Sequence, residues 1–97
     1  MNYKRNILTL DEAKTAAKRD YDYNNEIRDL LPEIDAILAS GTGVQWEEQE
    51  PIPDIAKNAA RLKLQIELGL KNTPLDEQRL NYKIKQLQAL ALGILNG

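Results

Sequence analysis

Apolar residues recur three and four positions apart through most of this 97-residue chain, and that spacing leaves few architectures open. Ile27, Leu30, Leu31, Ile34, Ile37 and Leu38 make one stripe, which predicts a helix over roughly 24–40. A second stripe, Ile55, Ala59, Leu62 and Ile66, predicts a helix over roughly 54–69, where Ala56 and Ala60 allow a neighbouring helix to come close. Leu80, Ile84, Leu87, Ala91 and Leu95 predict a third over roughly 74–95. A shorter first helix, roughly 10–19, is signalled by the capping box that Thr9 and Glu12 can form, with Lys14, Lys18 and Arg19 towards the end where cations are favoured. The expectation is an all-α fold, a small bundle of about four helices forming a single domain over 1–97.

Glycine and proline set the expected breaks. Pro32 interrupts the Ile27–Leu38 stripe; because the stripe continues past it, a kink is the preferred reading and a shorter helix opening at Pro32 the other. Gly41 is expected to supply a left-handed helix end. Pro51, Pro53 and the run Glu47, Glu48, Glu50 predict one longer acidic central loop over 41–53. Asp54 is the expected N-cap of the next helix, Gly69 and Asn72 its end, and Thr73 with Pro74 the start of the last.

Missing residue types narrow the function. The chain has no cysteine, hence no disulfide, thiolate nucleophile or sulfur-ligated metal. It has no histidine either, which removes the ordinary Ser-His-Asp and Cys-His constellations and the side chain best suited to proton transfer near neutrality. A carboxylate-only site is what remains, so the expectation is a protein that is not an enzyme and carries no cofactor. Glu47, Glu48 and Glu50 lack the ladder of oxygen ligands and the turn glycine of a calcium loop and read as a solvated acidic loop. Gly41, Thr42 and Gly43 lack the lysine and following helix of a phosphate-binding loop. No targeting signal is legible where Met1 to Arg5 lead into a short apolar patch. The most apolar stretch, Leu87 to Leu95, is short for a bilayer and broken by Gln88 and Gly93, so no membrane association is expected.

Binding is then the remaining activity. Trp46, the single tryptophan, is either a satellite of the core or an exposed anchor for a partner. The end of the last helix carries Leu90, Leu92, Ile94 and Leu95 around more than one face, which implies burial on several sides, in the core or against another subunit. Charge is segregated: residues 1–19 carry +3, 20–41 carry −5, 42–54 carry −4, and 55–70 and 71–97 carry +2 each. Acidic Glu47 and Glu48 and basic Lys57, Arg61, Lys83 and Lys85 are therefore candidate interface residues, matched within a subunit or between subunits. Lys57, Arg61 and Lys63 also admit a small regulatory, DNA-binding or antitoxin-like module, against which the overall charge of −2 weighs.

The order of these signals resembles a known family. Leu8, Thr9, Leu10, Asp11, Glu12, Ala13 and Lys14 form a capped first helix, and Asn24 and Asn25 a polar step. The Ile27, Leu30, Leu31, Ile34, Ile37 helix ends at a Thr42-Gly43 turn, and a Pro-containing link leads to Ile55, Ala56, Ala59, Ala60 and Leu62. Over roughly residues 8 to 95 this resembles the head–tail connector (head-completion adaptor, DNA-packaging connector) proteins of long-tailed bacteriophages and prophages. The resemblance implies a structural role in virion assembly: a homo-oligomeric ring beneath the portal protein, bound by the next tail or head-completion protein. DNA would pass through the ring without being read, and the location would be the virion or the bacterial cytoplasm.

Overall fold

The computed structural model describes residues 5–96; Met1 to Lys4, read above for a targeting signal, lie outside the described residues, as does Gly97. Among the described residues there are four α-helices and no strand: α1 Leu10–Ala17, α2 Glu26–Thr42, α3 Asp54–Glu67 and α4 Pro74–Asn96. Tyr23–Asn25 and Trp46–Glu48 each form one 3-10 turn. This is the all-α bundle that the apolar spacing predicts.

Each helix end has a local cause. The Thr9 hydroxyl accepts the Glu12 N–H at 3.1 Å and the Glu12 carboxylate accepts the Thr9 N–H at 2.9 Å, so α1 opens on the expected capping box. It stops earlier than predicted, because Lys18 takes a left-handed conformation (φ 56°). The N–H groups of Lys18 and Arg19 then turn back to the carbonyls of Thr15 and Lys14, a Schellman ending built without glycine. α2 starts only at Glu26, since Asn24 and Asn25 both have positive φ. Its first N–H groups are satisfied by Asp22, whose carboxylate accepts from Ile27 at 2.7 Å and from Arg28 at 3.0 Å. The helix runs unbroken through exposed Pro32 and through Gly41, and Gly43 (φ 81°) supplies the left-handed end expected of Gly41. Pro53, not Asp54, is the N-cap of α3, and Asp54 occupies the first turn, where a negative charge is favoured. Gly69 (φ 77°) closes α3 as expected, and Thr73 exchanges bonds with Asp76 ahead of Pro74 to open α4.

α3 is the helix that the other three share: it packs against α1, α2 and, most extensively, α4. Ala56, Ala59 and Ala60 are fully buried, and their small side chains let those neighbours approach. Ile27, Ile34 and Leu38 of α2, Leu64 of α3 and Leu87 of α4 fill the space between, together with Ile7 and Leu8 of the strap that precedes α1. Later helices also finish earlier ones. Gln65 Nε2 donates to the Ala16 carbonyl at 3.0 Å, and Gln88 Nε2 donates to the Gly41 carbonyl at 3.0 Å, covering acceptors that the last turns of α1 and α2 leave open.

Lys18 is exposed and held where a Cβ is unfavourable. Lys18→Gly should therefore raise stability by about 0.5–1 kcal/mol, read as a higher urea midpoint with an unchanged denaturant slope.

Candidate functional site

The interface candidates separate into two groups once placed in the fold. Trp46 is core: its side chain is fully buried, and its indole Nε1 donates to the Thr42 hydroxyl at 2.8 Å. That hydroxyl donates in turn to the Leu38 carbonyl at 2.7 Å, so the one polar atom of the ring is satisfied without solvent. Of the two readings of Trp46, the exposed anchor is overturned. Apolar residues alone cannot signal this; Thr42, four residues earlier, is the partner that makes the burial possible.

Lys57 and Arg61 are engaged within the chain. Lys57 Nζ donates to the two Glu12 carboxylate oxygens at 2.8 and 3.0 Å and to the Ile7 carbonyl at 3.2 Å. Arg61 reaches the same carboxylate at 3.6 Å and donates to Asn58 at 2.9 Å. Glu12 is thus an N-terminal capping residue of α1 and the anion that binds α1 to α3. Burial pushes its carboxyl up, but the Lys57 ammonium and the Thr9 hydrogen bond outweigh burial and hold it below the ordinary glutamate range. Lys63 pairs with Glu67 one turn along α3 at 2.7 Å.

The acidic loop is only partly the solvated run expected. Glu48 and Glu50 are exposed, whereas Glu47 is half-buried and its Oε1 has no hydrogen-bond partner among the described residues. Arg5 braces the loop from the strap: its guanidinium donates to the Glu47 and Gln49 carbonyls at 2.7 and 2.6 Å and pairs with Glu50 at 3.2 Å. Asp35 of α2, buried beside the strap, accepts from Asn6 Nδ2 at 2.7 Å and from the Ile7 N–H at 3.2 Å. Asp35 belongs to the acidic segment 20–41, yet its carboxylate faces inward. Among the described residues no group of three or more acidic side chains is arranged to hold a metal ion.

α4 supplies the second group. Its 23 residues span about 34 Å against about 21 Å for the 14 residues of α3. The two helices are joined by a short link, so the last turns of α4 outrun their main partner. Leu80, Leu87 and Ala91 are buried, but Leu90, Leu92, Ile94 and Leu95 are 39, 62, 37 and 58% exposed. Leu95, placed by its spacing on the core stripe, instead lies at its edge, with Cδ1 close to Gly43. Lys85 is exposed and Lys83 half-buried on the same helix. The central-core reading of this helix end is therefore not met within the chain. No helix of the described residues is long and apolar enough to cross a membrane.

Comparison with family models, with curated proteins and with solved structures gave no match.

The Glu12–Lys57 contact makes a signed pH prediction. A carboxyl whose pKa is lowered by folding contributes stability that is present above its ordinary range and lost as pH falls through its folded value. Glu12→Gln should cost about 1–3 kcal/mol near neutral pH, because Lys57 is left half-buried without its anion. Urea unfolding from pH 7 to pH 3 should also show the variant losing less stability with acid than the parent.

Proposed function

We propose that this protein is a structural assembly subunit, and specifically a subunit of a bacteriophage head–tail connector ring through which DNA passes and to which the tail attaches. The observation that carries the reading is the apolar end of α4. Four large apolar side chains on two helical turns remain outside the core of a chain small enough to need all the burial it can obtain. A second surface that buries them is the economical explanation. The resemblance of residues 8 to 95 to connector proteins supplies the particular assembly.

A closed ring needs a heterologous contact, in which one surface of a subunit meets a different surface of the next. With Asp35 turned inward and Lys57 and Arg61 held by Glu12, the charges left for such a contact are fewer than the sequence offers. Exposed Asp29, Glu33 and Glu48 face outward on the acidic side, and exposed Lys85 with half-buried Lys83 of α4 remain on the basic side. Rim pairs of this kind contribute about 0–1 kcal/mol each. They would set register, while Leu90, Leu92, Ile94 and Leu95 supply most of the attraction. The DNA-binding alternative is weakened by the same contacts, because Lys57, Arg61 and Lys63 all have carboxylate partners inside the subunit.

Sedimentation velocity across protein and salt concentration tests this reading. The isolated protein should be a monomer, or a monomer in unstable equilibrium with larger, salt-sensitive species. Leu92→Ser with Leu95→Ser should weaken association roughly tenfold or more while leaving stability within about 0.5 kcal/mol. A tight two-fold dimer, indifferent to salt, to those substitutions and to Lys83→Glu with Lys85→Glu, would count against it.

A further inference from the structure

α4 buries one face and leaves a second, patterned face outside. Leu80, Leu87 and Ala91 point into the core. At about 3.6 residues per turn, Leu75, Tyr82 and Ala89 follow one another seven residues apart on the opposite side. Lys85 and Leu92 lie three residues beyond Tyr82 and Ala89 on that same side, so the spacing is that of a seam between two helices. All five are exposed, Leu75, Tyr82 and Leu92 by 52, 64 and 62%. Leu90, Ile94 and Leu95 flank the buried stripe instead, which makes this outer face a separate one.

α2 carries a matching face. Ile27, Leu31, Ile34 and Leu38 are buried, while Asp29, Glu33, Ala36 and Ser40 line the exposed side at four- and three-residue spacing. That stripe is acidic towards the start of α2 and small towards its end. Just before the start, Tyr21 and Tyr23 are 69 and 72% exposed and pack against each other, ring centroids 6.0 Å apart and planes tilted by 52°. Their turn is firmly held. Arg19 pairs with Glu26 across it, and Asp22, the residue between the tyrosines, accepts from the Ile27 and Arg28 N–H groups. Asn24 and Asn25 both keep positive φ, a conformation that persists only where the surroundings impose it. Tyrosines presented in this way lose little freedom on binding and are favoured contact residues.

The charges of both faces are left over. Among the described residues Lys83 and Lys85 have no carboxylate partner, and Asp29 and Glu33 have no basic one. The two faces are also complementary in size, since bulky Tyr82 and Leu92 stand on one and small Ala36 and Ser40 on the other. One chain thus supplies both halves of a contact. We propose that the outer face of α4 in one copy of this chain docks on the outer face of α2 and the Tyr21–Tyr23 pair of a second copy. With Lys85 against Glu33 and the helices antiparallel, Tyr82 falls over Ala36 and Leu92 falls towards the tyrosines. Opposite charges fix the register, and the rings with Leu92 supply the apolar contact. Because the faces differ, each docking leaves one of each kind free and the contact can repeat. The inference rests on the reading of α4 as an assembly surface, and adds where on a neighbour that helix docks.

Two variants that each lose one face provide the test. Tyr21→Ser with Tyr23→Ser removes the seat and keeps the α4 face, and Tyr82→Ser with Leu92→Ser does the reverse. All four positions are exposed, so circular dichroism and the urea midpoint should match the parent. Self-association, followed by sedimentation velocity and by concentration-dependent amide shifts in NMR, should weaken about tenfold or more in either variant alone. An equimolar mixture should recover parent-strength association but stop at a heterodimer, since one competent junction remains. With the first variant isotope-labelled, the shifts on mixing should fall around Tyr82, Lys85 and Leu92; with the labels exchanged, around Tyr21, Tyr23, Asp29 and Glu33. Lys85→Glu added to the first variant should weaken the mixture about threefold or more, and Glu33→Lys added to the second should restore it. A mixture as inert as its components would overturn the docking, as would either variant associating like the parent or a charge reversal that is not restored. A parent that stays monomeric at NMR concentrations also overturns it, while the assembly reading, which allows a monomer in isolation, stands. A tight two-fold dimer indifferent to all these substitutions overturns both.

Discussion

The contact between Glu12 and Lys57 is the one on which the arrangement of the other parts depends. Glu12 lies three residues beyond the cap of a helix of only eight residues, a length that is unstable in isolation. Its carboxylate closes the capping box with Thr9 and, from the same position, accepts the ammonium of Lys57 on α3. That ammonium also takes the Ile7 carbonyl. One ion pair therefore fixes the start of α1, the strap before it and the middle of the chain. Ile7 and Leu8 are buried because the strap is held there, and Ala56, Ala59 and Ala60 are small because three helices converge on α3. A half-buried pair of this kind contributes chiefly by being complete: taking away one partner strands the other where water reaches it poorly.

The periodic parts of the fold were legible and the tertiary parts were not. Thr9 with Glu12, and Thr73 with Pro74, mark helix starts because capping is a local exchange of hydrogen bonds within a few residues. The ends were harder. Nothing local distinguishes Lys18 as a left-handed residue, and Gly41 and Gly43 are equally good candidates until tertiary packing carries α2 through the first to the second. Asp22 caps α2 from outside the helix, across two asparagines with positive φ, a reach that spacing rules do not contain. Lys57 and Arg61 looked like free cations because their anion is more than forty residues away in the chain. Trp46 was undecided for a related reason: its burial depends on whether the indole N–H finds an acceptor, and Thr42 provides one.

These placements change which residues would be available to a partner under the proposed function. The sequence offers a basic α3, but its charges are internal, and the outward charge of the basic side lies on α4. The same helix carries the unburied leucines and isoleucine, so attraction and register would come from one element that extends past its partner. The core closes around α3 and the strap, and the apolar end of α4 is left over.

A double-mutant cycle on Glu12→Gln and Lys57→Met, measured by urea unfolding at neutral pH and low salt, addresses the organising contact directly. The structure predicts a coupling energy of about 1–2 kcal/mol between the two positions, above the few tenths expected of sites that do not interact. Effects that add within about 0.3 kcal/mol would contradict it, and would mean that the strap and α1 are held to α3 by apolar burial alone.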